Sequence, residues 1–180
     1  DDKTFRKQLI RGDVHDPGAA MLGGVSGHAG LFSNAYDLAV LMNMFLNYGN
    51  IDGHQFIDTA SIKEFTAYQF PLHQNRRGLG FDKAPLNYIE DGPVCRSASA
   101  ESFGHSGFTG TYAWADPVNG LVYIFLSNRI SPDANNKKIL KQNVRTRIHE
   151  LFYKALGDQL SPDQLYLPAG EQNENTHDLH

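Results

Sequence analysis

An α+β layer, an antiparallel sheet flanked by helices, is the fold class this sequence predicts. Three observations predict it. Helical apolar spacing recurs on both sides of a run of short extended segments, giving the order helix, helix, strands, long helix. Asp116-Pro-Val-Asn-Gly120 is a hairpin signal between two strand-like runs, so those strands are antiparallel. Leu121-Val-Tyr-Ile-Phe-Leu126 is continuously apolar, which asks for cover on both faces. With 180 residues the chain is long enough for one domain with a real core.

Each element has its own local reason. Residues 1–20 are polar and irregular, with Asp16-Pro17-Gly18 as a turn. Met21 to Phe32 carries four glycines within ten residues and reads as a loop packed closely against something else. Ser33 or Asn34 caps a helix with Asp37 in its first turn, where a carboxylate meets the helix dipole favourably. Leu38, Leu41, Met44 and Phe45 form its core face, and Gly49 ends it. A turn at Asp52-Gly53 leads to a second helix, roughly Asp58 to Ala67, with Ile62 and Phe65 as the buried side. Arg76 to Asp82 reads as a short strand or a turn, and the stretch around Gly92-Pro93 and Ser97 to Ala100 as loop.

Phe103 to Ser106 is a short extended piece, and Thr111 to Ala115 is a strand with Trp114 in the core and its N–H reaching the surface. The longest helix is expected from about Asp133 to Leu156, with Leu140, Val144, Ile148, Leu151, Phe152 and Ala155 as the apolar stripe. Gly157 ends it. The domain is placed at residues 1–160, and the polar tail 161–180 is expected to be disordered. One helix over a three-stranded sheet would leave the second face bare, so missing strands or a partner chain are expected.

The totals exclude several classes. A net charge of −4 gives no reason to expect nucleic acid, and the lysines and arginines of the last helix read as a solvated face. No apolar run approaches the ~20 residues of a membrane span. The chain starts at Asp1 without methionine or visible signal peptide, and a removed upstream segment is expected. Cys95 stands alone, so no intrachain disulfide forms, and nothing but the adjacent Arg96 would activate it. The histidines show no His-Glu-x-x-His spacing; no metal and no cofactor are expected, and His177 and His180 would at most chelate adventitiously. Asp82, Glu90, Asp91 and Glu101 are scattered acids with no assigned catalytic pairing.

The segment richest in chemistry is Ser102-Phe-Gly-His-Ser-Gly-Phe-Thr-Gly110, just ahead of a strand and a hairpin. Together with Gly23-Gly-Val-Ser-Gly-His-Ala-Gly-Leu-Phe-Ser-Asn-Ala-Tyr-Asp-Leu-Ala39 and Leu121 to Arg129, it resembles the serine β-lactamase-like superfamily of class C β-lactamases, D,D-peptidases and related esterases. The resemblance covers roughly residues 10–157 and is to the C-terminal half of that fold. The wording is also similar to β-lactamase-like domains fused behind family-three N-acetylglucosaminidases.

The resemblance implies that His105-Ser106-Gly107 is the third motif, on a strand bordering the active site. His105 would keep the pocket electropositive, and Ser106 would hydrogen-bond a substrate carboxylate or leaving group. The Phe108 N–H would be half of an oxyanion hole, a donor worth ~3 kcal/mol in acyl-transfer enzymes. Gly107, Gly110 and His28 make up the substrate-binding set, Gly107 because substrate backbone could approach it closely. A partly buried strand histidine is the alternative for His105. A structural loop role is the leading reading for His28, ahead of lining the pocket, and a turn is the default for His15-Asp16, which could otherwise orient a ligand.

The departure from the family is equally plain. The nucleophile motif is Ser-x-x-Lys, and no serine here is followed by lysine three residues later; Ser61-Ile-Lys63 is off by one. Tyr48-Gly-Asn50 has the letters of the second motif but lies after the glycine loop, at a helix end, and reads as a cap. The expectation is a serine-hydrolase fragment, inactive alone, partnered by the missing N-terminal half of its own chain. It would serve a small-molecule or peptide, cell-wall-like substrate and be periplasmic or secreted. A non-catalytic module attached to a glycosidase is the alternative, and a plain structural domain the third.

Overall fold

The computed structural model describes residue 2 and residues 5–73 and 75–157; the tail expectation for 161–180 lies outside them, as do His177 and His180. The first helix is one that the sequence reading left irregular. In α1 (Pro17–Met21) the Asp16 side chain accepts from Ala19 N, and proline at the first position needs no donor partner.

In α2 (Ala35–Leu46) the cap is Asn34, whose Oδ1 accepts from Asp37 N at 3.0 Å while its Nδ2 donates to Asp37 Oδ2 at 2.8 Å. Tyr48 and Gly49 both adopt left-handed φ as the helix exits, and Gly49 N–H returns to Met44 O. A Cβ on Gly49 would collide with Ile57 O, so this position admits only glycine. The buried side chains are Met42 and Met44; Leu41, expected in the core, points outward.

The hairpin of β1 (Asn50–Ile51) and β2 (His54–Gln55) turns at Asp52 and Gly53, both at positive φ. Helix α3 (Thr59–Thr66) is capped by Asp58. It buries Ile62 and Thr66, not Phe65: the Thr66 hydroxyl bonds back to Ile62 O, which lets a polar residue take the inner position.

One four-stranded antiparallel sheet organises the rest. Its order is β3 (Asp82–Lys83), β4 (Phe103–Ser106), β5 (Tyr112–Asp116) and β6 (Leu121–Phe125). The register pairs His105 with Ala113, Ser106 with Tyr112 and Trp114 with Tyr123. Strand alternation sends Tyr112, Trp114 and Tyr123 to one face and Phe103, Ala115, Val122 and Ile124 to the other. Both faces are covered. Helix α2 packs Met42 and Phe45 on the second face, which answers the apolar run at 121–126 without a missing layer there.

The first face is covered by Val94, Cys95, Ala98 and the last helix. That helix is not one piece from Asp133. It is α4 (Lys138–Lys141) and α5 (Val144–Leu156), broken at Asn143, which sits at φ 49° in the left-handed region that asparagine tolerates. The expected aliphatic stripe is also rotated: Leu151 is 60% exposed, while His149 and Tyr153 are buried. Ring stacking decides this, because His149 lies flat on Tyr123 with centroids 4.4 Å apart.

Polar anchors fix the face. Buried Asp116 accepts from Ser99 N and Oγ, Asn119 Nδ2 and the Tyr153 hydroxyl, the last at 2.7 Å. Trp114 is buried as expected, but its Nε1 is fully inside and unpartnered among the described residues rather than at the surface. Burial pushes the Cys95 thiol up to about 12, so it is inert. Among the described residues no helix is long and apolar enough to cross a membrane.

Candidate active-site edge

Strand β4 presents the motif. Gly104 must be glycine because a Cβ there would collide with Ala113 O and the Trp114 ring on the neighbouring strand. After Ser106 the chain turns through Gly107 to Gly110, with Gly110 N donating to Gly107 O at 3.0 Å and Gly107 N to Thr111 O at 2.8 Å. A Cβ on Gly107 would strike Thr111 Oγ1, so the open side of this glycine is occupied by its own turn. Gly110 is buried at positive φ against Ser127 Oγ.

His105 is exposed and doubly held. Its Nδ1 lies 2.8 Å from Ser106 O and its Nε2 3.1 Å from Arg77 Nη1. A carbonyl only accepts and a guanidinium only donates, so these partners assign the neutral Nδ1–H tautomer. Behind it stands a charge relay of position rather than protons. Arg77 Nη1 is 2.6 Å from Asp82 Oδ1, and Arg76 Nη2 donates to Asp82 Oδ2 at 2.8 Å. Asp82, one of the scattered acids, is therefore an ion-pair anchor. Next along β3, Lys83 is buried; its Nζ donates to Glu101 O at 2.9 Å, 4.9 Å from the Tyr68 ring centre, and burial pulls the amine down to about 8.

Ser106 is half-buried and its hydroxyl has no hydrogen bond among the described residues. Phe108 is 65% exposed, and its N–H likewise carries no acceptor among them. Its ring stacks on His15 at 5.5 Å and lies 4.5 Å from the Arg129 guanidinium, so the turn is gripped from two distant segments. His28 is tied elsewhere, with Nδ1 2.7 Å from Ser26 Oγ and Nε2 2.9 Å from Asp16 Oδ1. The Ala19 N–H first, and His28 second, hold the Asp16 carboxyl below its ordinary range. No hydrogen bond or ring contact joins His28 to His105, Ser106 or Phe108 among the described residues. The glycine loop around it is not packed away: Met21, Leu22, Val25, Leu31 and Phe32 are each at least 66% exposed.

His105, Ser106 and Phe108 thus share one edge. The structure adds Arg77 and Arg129, which spacing did not pick out, and brings His15, weighed above only as part of a turn or a ligand-orienting pair, onto the Phe108 ring. The doublet Arg76-Arg77 before Gly78 was the available signal for the first. A concavity of about 540 Å³ between residues 88–96 and α5 is lined by none of the motif residues.

A family model described as Beta-lactamase matches residues 3–145, and the chain belongs to that family. A Salmonella enteritidis protein named "Putative D-alanyl-D-alanine carboxypeptidase" is 39% identical over 136 residues, 74% of this chain and 31% of that protein. An Escherichia coli protein of the same name is 39% identical over 137 residues, 75% of this chain and 31% of its own length. The chain therefore spans just under a third of the curated relatives it matches. A solved beta-lactamase from Mycobacterium bovis shares the fold, with a TM-score of 0.57 and 21% identity over 77% of this chain and 53% of that one.

Proposed function

We propose that this chain forms the third-motif edge of an acyl-transfer active site. The assembled protein would hydrolyse an amide, β-lactam or ester of a D-amino-acid, cell-wall-like substrate through an acyl-enzyme. The observation that carries the reading is the Phe108 N–H, without an acceptor among the described residues, directly after His105-Ser106-Gly107 on an exposed residue. When a nucleophile adds to a carbonyl, negative charge grows on its oxygen, and a fixed N–H there stabilises the transition state without reorganisation. Ser106 Oγ, on the same edge and without a hydrogen bond among the described residues, would hold the substrate's carboxylate or leaving group.

The relatives named as carboxypeptidases support a peptide-type substrate, and a periplasmic or secreted location follows from the family resemblance alone. The nucleophile and its lysine would come from elsewhere in the assembled protein, since no serine here has lysine three residues on. The exposed apolar side chains of the glycine loop suit cover by that further chain. The narrower kinship with domains fused to N-acetylglucosaminidases rests on motif wording alone.

A fluorophosphonate probe read by intact mass tests this. The isolated chain is expected to stay unmodified, and a longer protein carrying the nucleophile to take one adduct. Ser106→Ala in that protein is expected to slow turnover ~10- to 100-fold, the worth of a hydrogen bond to a charged group. Unchanged turnover refutes the role of Ser106, and an adduct on the isolated chain refutes the need for an outside nucleophile. Absence of an adduct on the longer protein favours the second reading, a non-catalytic binding module.

A further inference from the structure

We infer that Arg129, together with His15, is a positioning residue that braces the Phe108 ring and so fixes the direction of the Phe108 N–H; this rests on the acyl-transfer reading, in which that N–H meets the developing oxyanion. Such a donor helps only if its direction is set before the charge appears. Here one planar peptide sets it. Gly107 O and the Phe108 N–H belong to the same trans unit and point opposite ways. Gly107 O accepts from Gly110 N at 3.0 Å, which turns the Phe108 N–H away from the turn. That peptide could still swing, because Gly107 lacks the Cβ that would restrict its ψ. A swing requires Phe108 to rotate with it, and the Phe108 side chain is where the turn is gripped.

The Arg129 guanidinium lies 4.5 Å from the Phe108 ring centre, and the His15 ring stacks on Phe108 at 5.5 Å, 16° from parallel. Both braces are themselves anchored. Arg129 Nη1 donates to Ala134 O at 2.9 Å and to Asn136 O at 3.2 Å, and its main-chain N–H donates to Thr109 O at 2.9 Å. Ser127 Oγ donates to the same Thr109 O at 3.3 Å. His15 O accepts from Arg6 Nη2 at 3.1 Å, and the next residue, Asp16, caps α1. The Arg129 pose leaves its Nε buried without a partner among the described residues, an unfavourable arrangement that attraction between the cation and the ring helps offset. An arginine that only tied residues 134–136 to the exit of β6 would leave Phe108 indifferent. The ring contact makes Arg129 a positioning residue, and it holds Phe108 from the side while the Thr109 carbonyl is held from behind.

Two measurements test this. In the ¹⁵N-labelled chain the order parameter of the Phe108 amide is expected at about 0.85, falling below about 0.6 in Arg129→Gln. Arg129→Lys keeps a cation for the ring and should fall between. In the longer protein that carries the nucleophile, the fluorophosphonate probe is titrated. Arg129→Gln is expected to lower the adduct rate at saturating probe ~10- to 100-fold, the effect of a misplaced group, with little change in the half-saturating concentration. Phe108→Leu removes the ring, keeps the N–H and should lose as much. The double variant should lose no more than either single one, because ring and guanidinium act as one unit. If circular dichroism shows the glutamine variant misfolded, Arg129→Lys and Phe108→Leu carry both measurements. An unchanged order parameter, a full saturating rate in the variants, or a double-variant loss equal to the product of the two single losses overturns the inference. A wild-type longer protein that takes no adduct overturns the acyl-transfer reading instead, and the order parameters then decide the brace by themselves.

Discussion

His149 should make this fold acid-sensitive in a window set by its own burial. The ring is 1% exposed, stacked on Tyr123, and its Nδ1 has no partner among the described residues. Burial, opposed weakly by Asp116, pulls its pKa from an ordinary 6.5 down to about 3. Between those values the unfolded chain binds a proton that the folded chain refuses, so stability falls as pH drops from 6.5 toward 3, and above 6.5 the group has no effect. Linkage puts the loss between pH 7 and pH 5 at about 2 kcal/mol, with a limiting slope of ~1.4 kcal/mol per pH unit. His149→Phe keeps a flat ring and removes the orphan nitrogen. Any overpacking cost, ~1–3 kcal/mol, is the same at every pH and cancels in the slope. Urea unfolding at pH 7, 6 and 5 reads the difference through the fluorescence of Trp114, the single tryptophan. The wild type should lose about 2 kcal/mol more than the variant over that range. Equal losses in the two proteins would mean that His149 is not buried as a neutral ring, and the reasoning fails.

Two further perturbations probe the same face. Tyr153→Phe removes one of the donors to buried Asp116 and should cost ~1.5–3 kcal/mol in urea unfolding, the range for a hydrogen bond to a charged group; a cost below ~0.5 kcal/mol would show that the other donors already suffice. Cys95 should resist a thiol-reactive disulfide reagent in the native chain and react fully in denaturant, because the buried thiol is held at about 12; rapid native labelling would contradict the burial.

What could be read from the sequence was what neighbours in the chain decide. The cap at Asn34, the Asp52-Gly53 turn, strands 103–106 and 121–125, and the helix end at Tyr48-Gly49 are each settled within a few residues. The misses share a cause. Which face of α5 lies inward was decided by rings on β5 and β6, and a histidine that stacks flat can displace a leucine that only matches a period. The cover for the second face of the sheet came from α2, far earlier in the chain, so a local count of layers came up one short.

The site divides along the same line. The letters His105-Ser106-Gly107 mark where the edge lies, because a tight turn after a strand is a local property. The electrical character of the edge is not local. A histidine in this motif position suggests positive charge, yet here its two nitrogens meet a carbonyl and a guanidinium, partners that spacing along the chain does not show. A guanidinium stands beside it from Arg77, 28 residues earlier, brought there by the Arg77–Asp82 bridge and the pairing of Asp82 on β3 with β4, and held by an acid that by itself suggested nothing.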